Sequence, residues 1–200
     1  MILKDWVIKM KKYLLFIFLL SGLFAQTDIQ PTKSFGFMVM GGGRYDDLRM
    51  CVGSPAGVKG GPIADIMFVT QFKTDDDKLM SLNIPIFRPI LFGTAFKLLQ
   101  FEPELNWENK STLKDGKTLI YGPGVGLSFH YGPDYESDLD NRGEDFFAVG
   151  PMLNYSLGIV LDSESRKKLA LKAFYIPLFG ENENNGTVVG ASFQYYYLFK

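Results

Sequence analysis

Between Thr118 and Tyr131 the side chains repeat every two residues, and few folds accept such a run. Leu119, Tyr121, Pro123, Val125, Leu127, Phe129 and Tyr131 fall on one face; Thr118, Gly122, Gly124, Gly126, Ser128 and His130 fall on the other, with Ile120 the one apolar residue among them. A period of two, not 3.6, belongs to a strand, whose successive side chains point to opposite faces. The same scheme runs through Leu99–Glu108, where Leu99, Phe101, Pro103, Leu105 and Trp107 oppose Gln100, Glu102, Glu104, Asn106 and Glu108. Phe147–Leu161 repeats it, and the last stretch aligns Val189, Ala191, Phe193, Tyr195, Tyr197 and Phe199. The chain reads as all-β and antiparallel.

Alternation alone fits two kinds of barrel. In a soluble, lipocalin-like barrel the inner face is apolar and the outer face meets water. Here the polar face carries Gly122, Gly124, Gly126 and Ser128 in a row, then Gly150, Ser156 and Gly158, where a water-facing strand would carry Lys, Glu and Thr. Small residues suit a crowded interior, and the bulky aromatic face suits lipid. Apolar residues make up 46% of the chain and aromatics 15%, yet mean hydropathy is only +0.03, so the apolar residues are dispersed. Past the N-terminus no run is apolar and long enough for a membrane helix, which leaves a barrel as the only way to span a bilayer.

The exception is the N-terminus itself. Lys9, Lys11 and Lys12 precede the apolar run Tyr13–Leu20 and the small Ser21 and Gly22, the layout of a secretory signal peptide. Residues 1–25 are read as that signal, cut after Ala25, with Met10 an alternative start; 26–33 is a short periplasmic segment and 34–200 the barrel. Eight strands are expected, near 34–42, 62–73, 79–91, 95–108, 117–131, 145–161, 168–179 and 187–199. The connections 74–78, 109–116 and 162–167 then lie at one end, and 43–61, 92–94, 132–144 and 180–186 at the other. Short periplasmic turns and longer outer loops agree with most of these lengths. The tight Phe92-Gly93-Thr94 connection and the third segment, interrupted by Pro85, Arg88 and Pro89, agree least.

Leu82-Asn83-Ile84-Pro85-Ile86, Glu102-Pro103-Glu104-Leu105-Asn106 and Gly122-Pro123-Gly124-Val125-Gly126 resemble recurring elements of the small outer-membrane β-barrel family of Bacteroidota-like bacteria. The likeness spans most of the chain after the signal. The C-terminus is similar to the assembly signal of such proteins: Gly190, then Phe193, Tyr195, Tyr197 and Phe199, with Lys200 following where the aromatic is usually last. The resemblance implies an integral outer-membrane, porin-like protein of a Gram-negative cell, surrounded by outer-membrane lipid and handled by the barrel assembly machinery. It implies no particular substrate.

Chemistry is sparse. His130, the sole histidine, shares a face with Ser128, a pair that an outer-membrane lipid-modifying enzyme would use; a working site also needs an orienting carboxylate and an oxyanion site. Glu102 and Glu104 form a carboxylate pair, and in a narrow interior they are expected to join a charge network with Arg88 and Lys172, because an unpaired buried charge is costly. Asp138, Asp140, Arg142 and Gly143 echo a calcium loop without its ligand set. The Gly41-Gly42-Gly43 run and Gly53–Gly61 lack phosphate-binding spacing. One His and one Cys leave no ligands for a metal cluster, Cys51 allows no internal disulfide, and the 21 basic residues, at net charge -1, form no stripe for nucleic acid. The expectation is a non-enzymatic barrel without cofactor, with a surface-interaction role or narrow transport of a small molecule; a lipid-modifying enzyme and a soluble periplasmic ligand carrier are the alternatives.

Overall fold

The computed structural model describes residues 34–47, 59–75, 77–96, 99–133, 145–180 and 185–199. The expected signal peptide, the 26–33 segment, Cys51, the Asp138–Gly143 stretch and Lys200 lie outside them. The elements are β1 (Ser34–Asp46), β2 (Gly61–Asp75), β3 (Lys78–Pro85), α1 (Phe87–Phe96), β4 (Leu99–Phe101), β5 (Glu104–Thr112), β6 (Thr118–Pro133), β7 (Asp145–Val160), β8 (Lys167–Gly180) and β9 (Gly186–Phe199). β1 pairs antiparallel with β2, β2 with β3, β3 with β5, β4 and β5 with β6, and β6 through β9 each with the next, and β9 returns to β1 with Phe35 opposite Phe199, so the sheet closes on itself.

β4 and β5 are one strand of the wall. Phe101 lies opposite Phe129 and Glu104 opposite Gly126, with no residue gained or lost between them. Pro103 has no N–H to give to the ladder, so it interrupts the pairing without shifting the register; its carbonyl still accepts from Leu127 N at 3.2 Å. An antiparallel, up-and-down barrel of eight strands results. Connections 76–77, 113–117 and 161–166 lie at one end, and 47–60, 86–98, 134–144 and 181–185 at the other.

The two faces divide as the alternation requires. On β8, Lys168, Ala170, Lys172, Phe174, Ile176 and Leu178 point inward and are buried, while Leu169, Leu171, Tyr175 and Phe179 point outward. On β9, Val189, Phe193, Tyr195, Tyr197 and Phe199 are exposed. The inside is partly apolar too, with a methionine-rich cluster of Met38, Met40, Met67 and Met152 beside Phe174 and Ile176.

One expected stretch differs. The strand expected over 79–91 ends at Pro85, the one expected over 95–108 begins at Leu99, and the supposed tight connection Phe92-Gly93-Thr94 lies inside α1. Pro85 sits at the last ladder position of β3, opposite Met67. Pro89 falls in the first turn of α1, where an N–H would have no intrahelical partner. The helix start is secured from a neighbouring strand: Asp65 Oδ1 on β2 accepts from Arg88 N at 2.9 Å, the service an N-cap side chain normally gives from within the chain.

Candidate functional site in the barrel lumen

Period-two geometry on β4, β5 and β6 sends Gln100, Glu102, Glu104, Ser128 and His130 into the lumen, all of them buried. Glu102 is the centre of an upper cluster. Its Oε2 lies 2.6 Å from Arg88 Nη2, and its Oε1 accepts from Arg44 Nη1 at 3.3 Å and from Ser128 Oγ at 3.3 Å, with His130 Nε2 at 3.2 Å. Behind these, Arg44 Nη2 pairs with Asp46 at 2.7 Å and Arg88 Nε with Asp65 at 3.3 Å. A lower cluster surrounds Glu104, which accepts from Lys172 Nζ at 2.7 Å, Asn83 Nδ2 at 3.0 Å and Asn154 Nδ2 at 3.2 Å. Below that, Lys168 Nζ meets Glu108 at 2.5 Å.

The four residues expected to share a charge network therefore fall into two clusters, Arg88 with Glu102 and Lys172 with Glu104. Each buried carboxylate is matched by a buried cation and by further donors, the condition under which ion pairs persist in a low-dielectric interior. Sequence reasoning missed Arg44, Asp46, Asp65, Lys168 and Glu108. Arg44 and Asp46 lie past the expected end of β1 at residue 42, yet they continue the inward parity of Met38 and Met40. That parity was the available signal.

Ser128 and His130 are brought together, though not as a nucleophile and its base. In a Ser-His-acid site the imidazole stands between hydroxyl and carboxylate and takes the serine proton. Here the Ser128 hydroxyl and the His130 ring both engage the same oxygen of Glu102, and both residues have no accessible surface. The free space nearby is a cavity lined by Met40, Ile63, Met67, Arg88, Glu102, Met152, Lys172 and Phe174, with room for about one water molecule. The arrangement holds charge in place.

Small residues make room for these clusters. A Cβ on Gly124 would collide with Asn106 Oδ1 and lie 2.5 Å from Asn154 Oδ1, so glycine there is what lets Asn154 reach Glu104. The residues resembling an assembly signal lie on β9, Gly190 half-buried against Phe174 and Arg44, the aromatics outward. Phe199 packs across the β1–β9 seam on Phe35 at 5.7 Å and Phe37 at 6.1 Å, and along its own strand on Tyr197 at 5.3 Å. At the opposite rim, Lys59 and Tyr45 both meet Asp47, at 3.0 and 2.6 Å, and the bond to Asp47 raises the Lys59 pKa above the ordinary lysine value.

Comparison of the sequence with models of protein families finds no match, and comparison with curated protein sequences finds none.

Proposed function

We propose that this chain is an integral outer-membrane barrel, non-enzymatic, whose wall is its membrane anchor and whose long connections form a contact surface. The observation that carries this reading is the inversion of its two faces. Lys168, His130 and Glu104 have at most 1% of their surface accessible, whereas Phe193 is 66%, Phe179 58% and Leu153 55% exposed. Water-soluble domains keep Lys and Glu outside and rarely expose contiguous apolar surface of this extent; a membrane barrel does the reverse. Three of the four connections at the far end, 47–60, 86–98 and 134–144, are longer than any at the N-terminal end, which agrees with a periplasmic N-terminal end. In this reading outer-membrane lipid surrounds the wall and the barrel assembly machinery inserts it.

The soluble ligand carrier has the right strand topology but needs an apolar cup, and this lumen is crossed by ion pairs from top to bottom. The lipid-modifying enzyme needs an accessible hydroxyl paired with its base, and Ser128 is tied to Glu102 instead. His130→Ala is expected to leave cellular lipid A composition unchanged; a changed acylation pattern would revive the enzyme. The membrane reading is tested by fractionation and gel migration. The mature protein should resist extraction by carbonate or urea, and the unboiled detergent-purified form should migrate as a compact band that shifts on heating. Release into the soluble fraction would refute it.

A further inference from the structure

Above Pro85 the wall is built differently from the rest of the barrel. β3 pairs with β5 only from Lys78 to Asn83, and among the described residues no strand pairs with Gly61–Ile66 of β2 on the side away from β1. α1 occupies this stretch between β2 and β4. The break is finished locally: Asp65 Oδ1 accepts from Ile66 N at 2.8 Å as well as from Arg88 N, and Ile86 N donates to Ile66 O at 2.9 Å.

A helix satisfies its own backbone bonds, so it can leave the wall without breaking a ladder, whereas a strand of equal length would lose about one bond per residue to each of its two neighbours. α1 is held by the Ile86 bond, the Asp65 contacts and the Arg88–Glu102 pair. Its Phe87 and Ile90 are exposed, as are Ile66 of β2 and Leu99 of β4 on the strands to either side. Arg88 lines a small cavity whose other walls are Met40, Ile63, Met67, Met152 and Phe174 on the apolar side and Glu102 and Lys172 on the charged side. Thioether side chains are unbranched and adapt their shape to apolar occupants. The space has room for about one water, so a larger occupant requires a wall to move. Among those wall residues Arg88 alone is carried by an element outside the ladder.

We propose that α1 is a hatch, latched by Arg88 to Asp65 and Glu102, that opens sideways to the bilayer and admits a single apolar chain into the methionine-lined space. This rests on the membrane reading above.

The test uses single cysteines in a Cys51→Ser background, with the barrel folded in phosphatidylcholine vesicles and its fold checked by heat-modifiable migration. Met67→Cys lines the cavity, and Met38→Cys, equally inward but not among its walls, is the control. An apolar maleimide dissolved in the bilayer should label Met67→Cys faster than Met38→Cys. Adding Arg88→Met should speed the first by about tenfold or more, the loss of a charge-assisted bond, and leave the second unchanged. Equal labelling of Met67→Cys by a charged, water-soluble maleimide would mean axial access and would overturn the hatch. So would a folded Met67→Cys barrel that is not labelled with or without Arg88. If the Arg88→Met barrel does not fold, the comparison of the two sites with Arg88 present decides, and equal rates overturn the proposal. Extraction of the barrel from the vesicles by carbonate overturns the membrane reading and the hatch together, whereas a folded, unlabelled barrel overturns the hatch alone.

Discussion

Glu104 and Lys172 form a pair on strands far apart in sequence, and each is buried so deeply that losing one strands the other. Lys172→Met should therefore cost about 3–5 kcal/mol, measured by urea unfolding in detergent micelles or vesicles, and adding Glu104→Gln should recover much of it. An additive double mutant would mean that the two charges do not act as a pair. Glycines give a second contrast at this scale. Gly124→Ala drives a methyl into Asn106 and Asn154 and should cost about 1–3 kcal/mol, as overpacking does. Gly41→Ala, where a Cβ meets nothing within 4 Å, should stay within about 0.5 kcal/mol of the parent. The inward parity of Glu102, Glu104, Ser128 and His130 was legible from their own strands. Arg88 and Lys172 were expected as partners without a sign of which carboxylate each would meet, and Arg44, Asn83 and Asn154 were not foreseen, because no local pattern says which strand stands across a lumen.

At the scale of the element, the strands followed from alternation because the two faces meet different surroundings, and a shift by one residue would turn every side chain the wrong way. α1 was the exception. Phe87–Phe96 reads as apolar residues broken by Arg88, Pro89 and Gly93, and a run that short carries too few turns to separate a helix from an irregular strand. The prolines marked the interruption without naming what replaces it. The outward face of the regular strands carries its own test. Leu171 is 47% exposed on β8; Leu171→Arg should cost about 2–4 kcal/mol if that face meets the bilayer centre, as charged residues do on the lipid side of barrels. A change near zero in the same unfolding assay would mean that the face meets water.

For the whole molecule the decisive contact is the seam between β9 and β1, where Phe35 meets Phe199 and Met40 meets Gln194. Removing residues 194–199 takes a partner from both β1 and β8 and opens two edges. The truncated chain is expected to lose the compact gel band entirely rather than to shift it, because closure is cooperative and a partial barrel leaves backbone groups without partners. A compact band after truncation would mean that the remaining strands close without the seam. The sequence by itself determined the period, the strand class, the small-residue interior and the outward aromatic face, since each depends on neighbours two residues apart. It also marked Pro85 and Pro89 as an interruption of the third segment, while Pro103 read as part of an unbroken strand. Only the tertiary structure decided that Pro103 interrupts the pairing without shifting the register while Pro85 ends a strand, that Asp65 starts a helix from across the wall, and that Arg44, Arg88, Ser128 and His130 converge on Glu102. Those outcomes depend on which strands closure brings face to face, and that information is distributed over the whole ring.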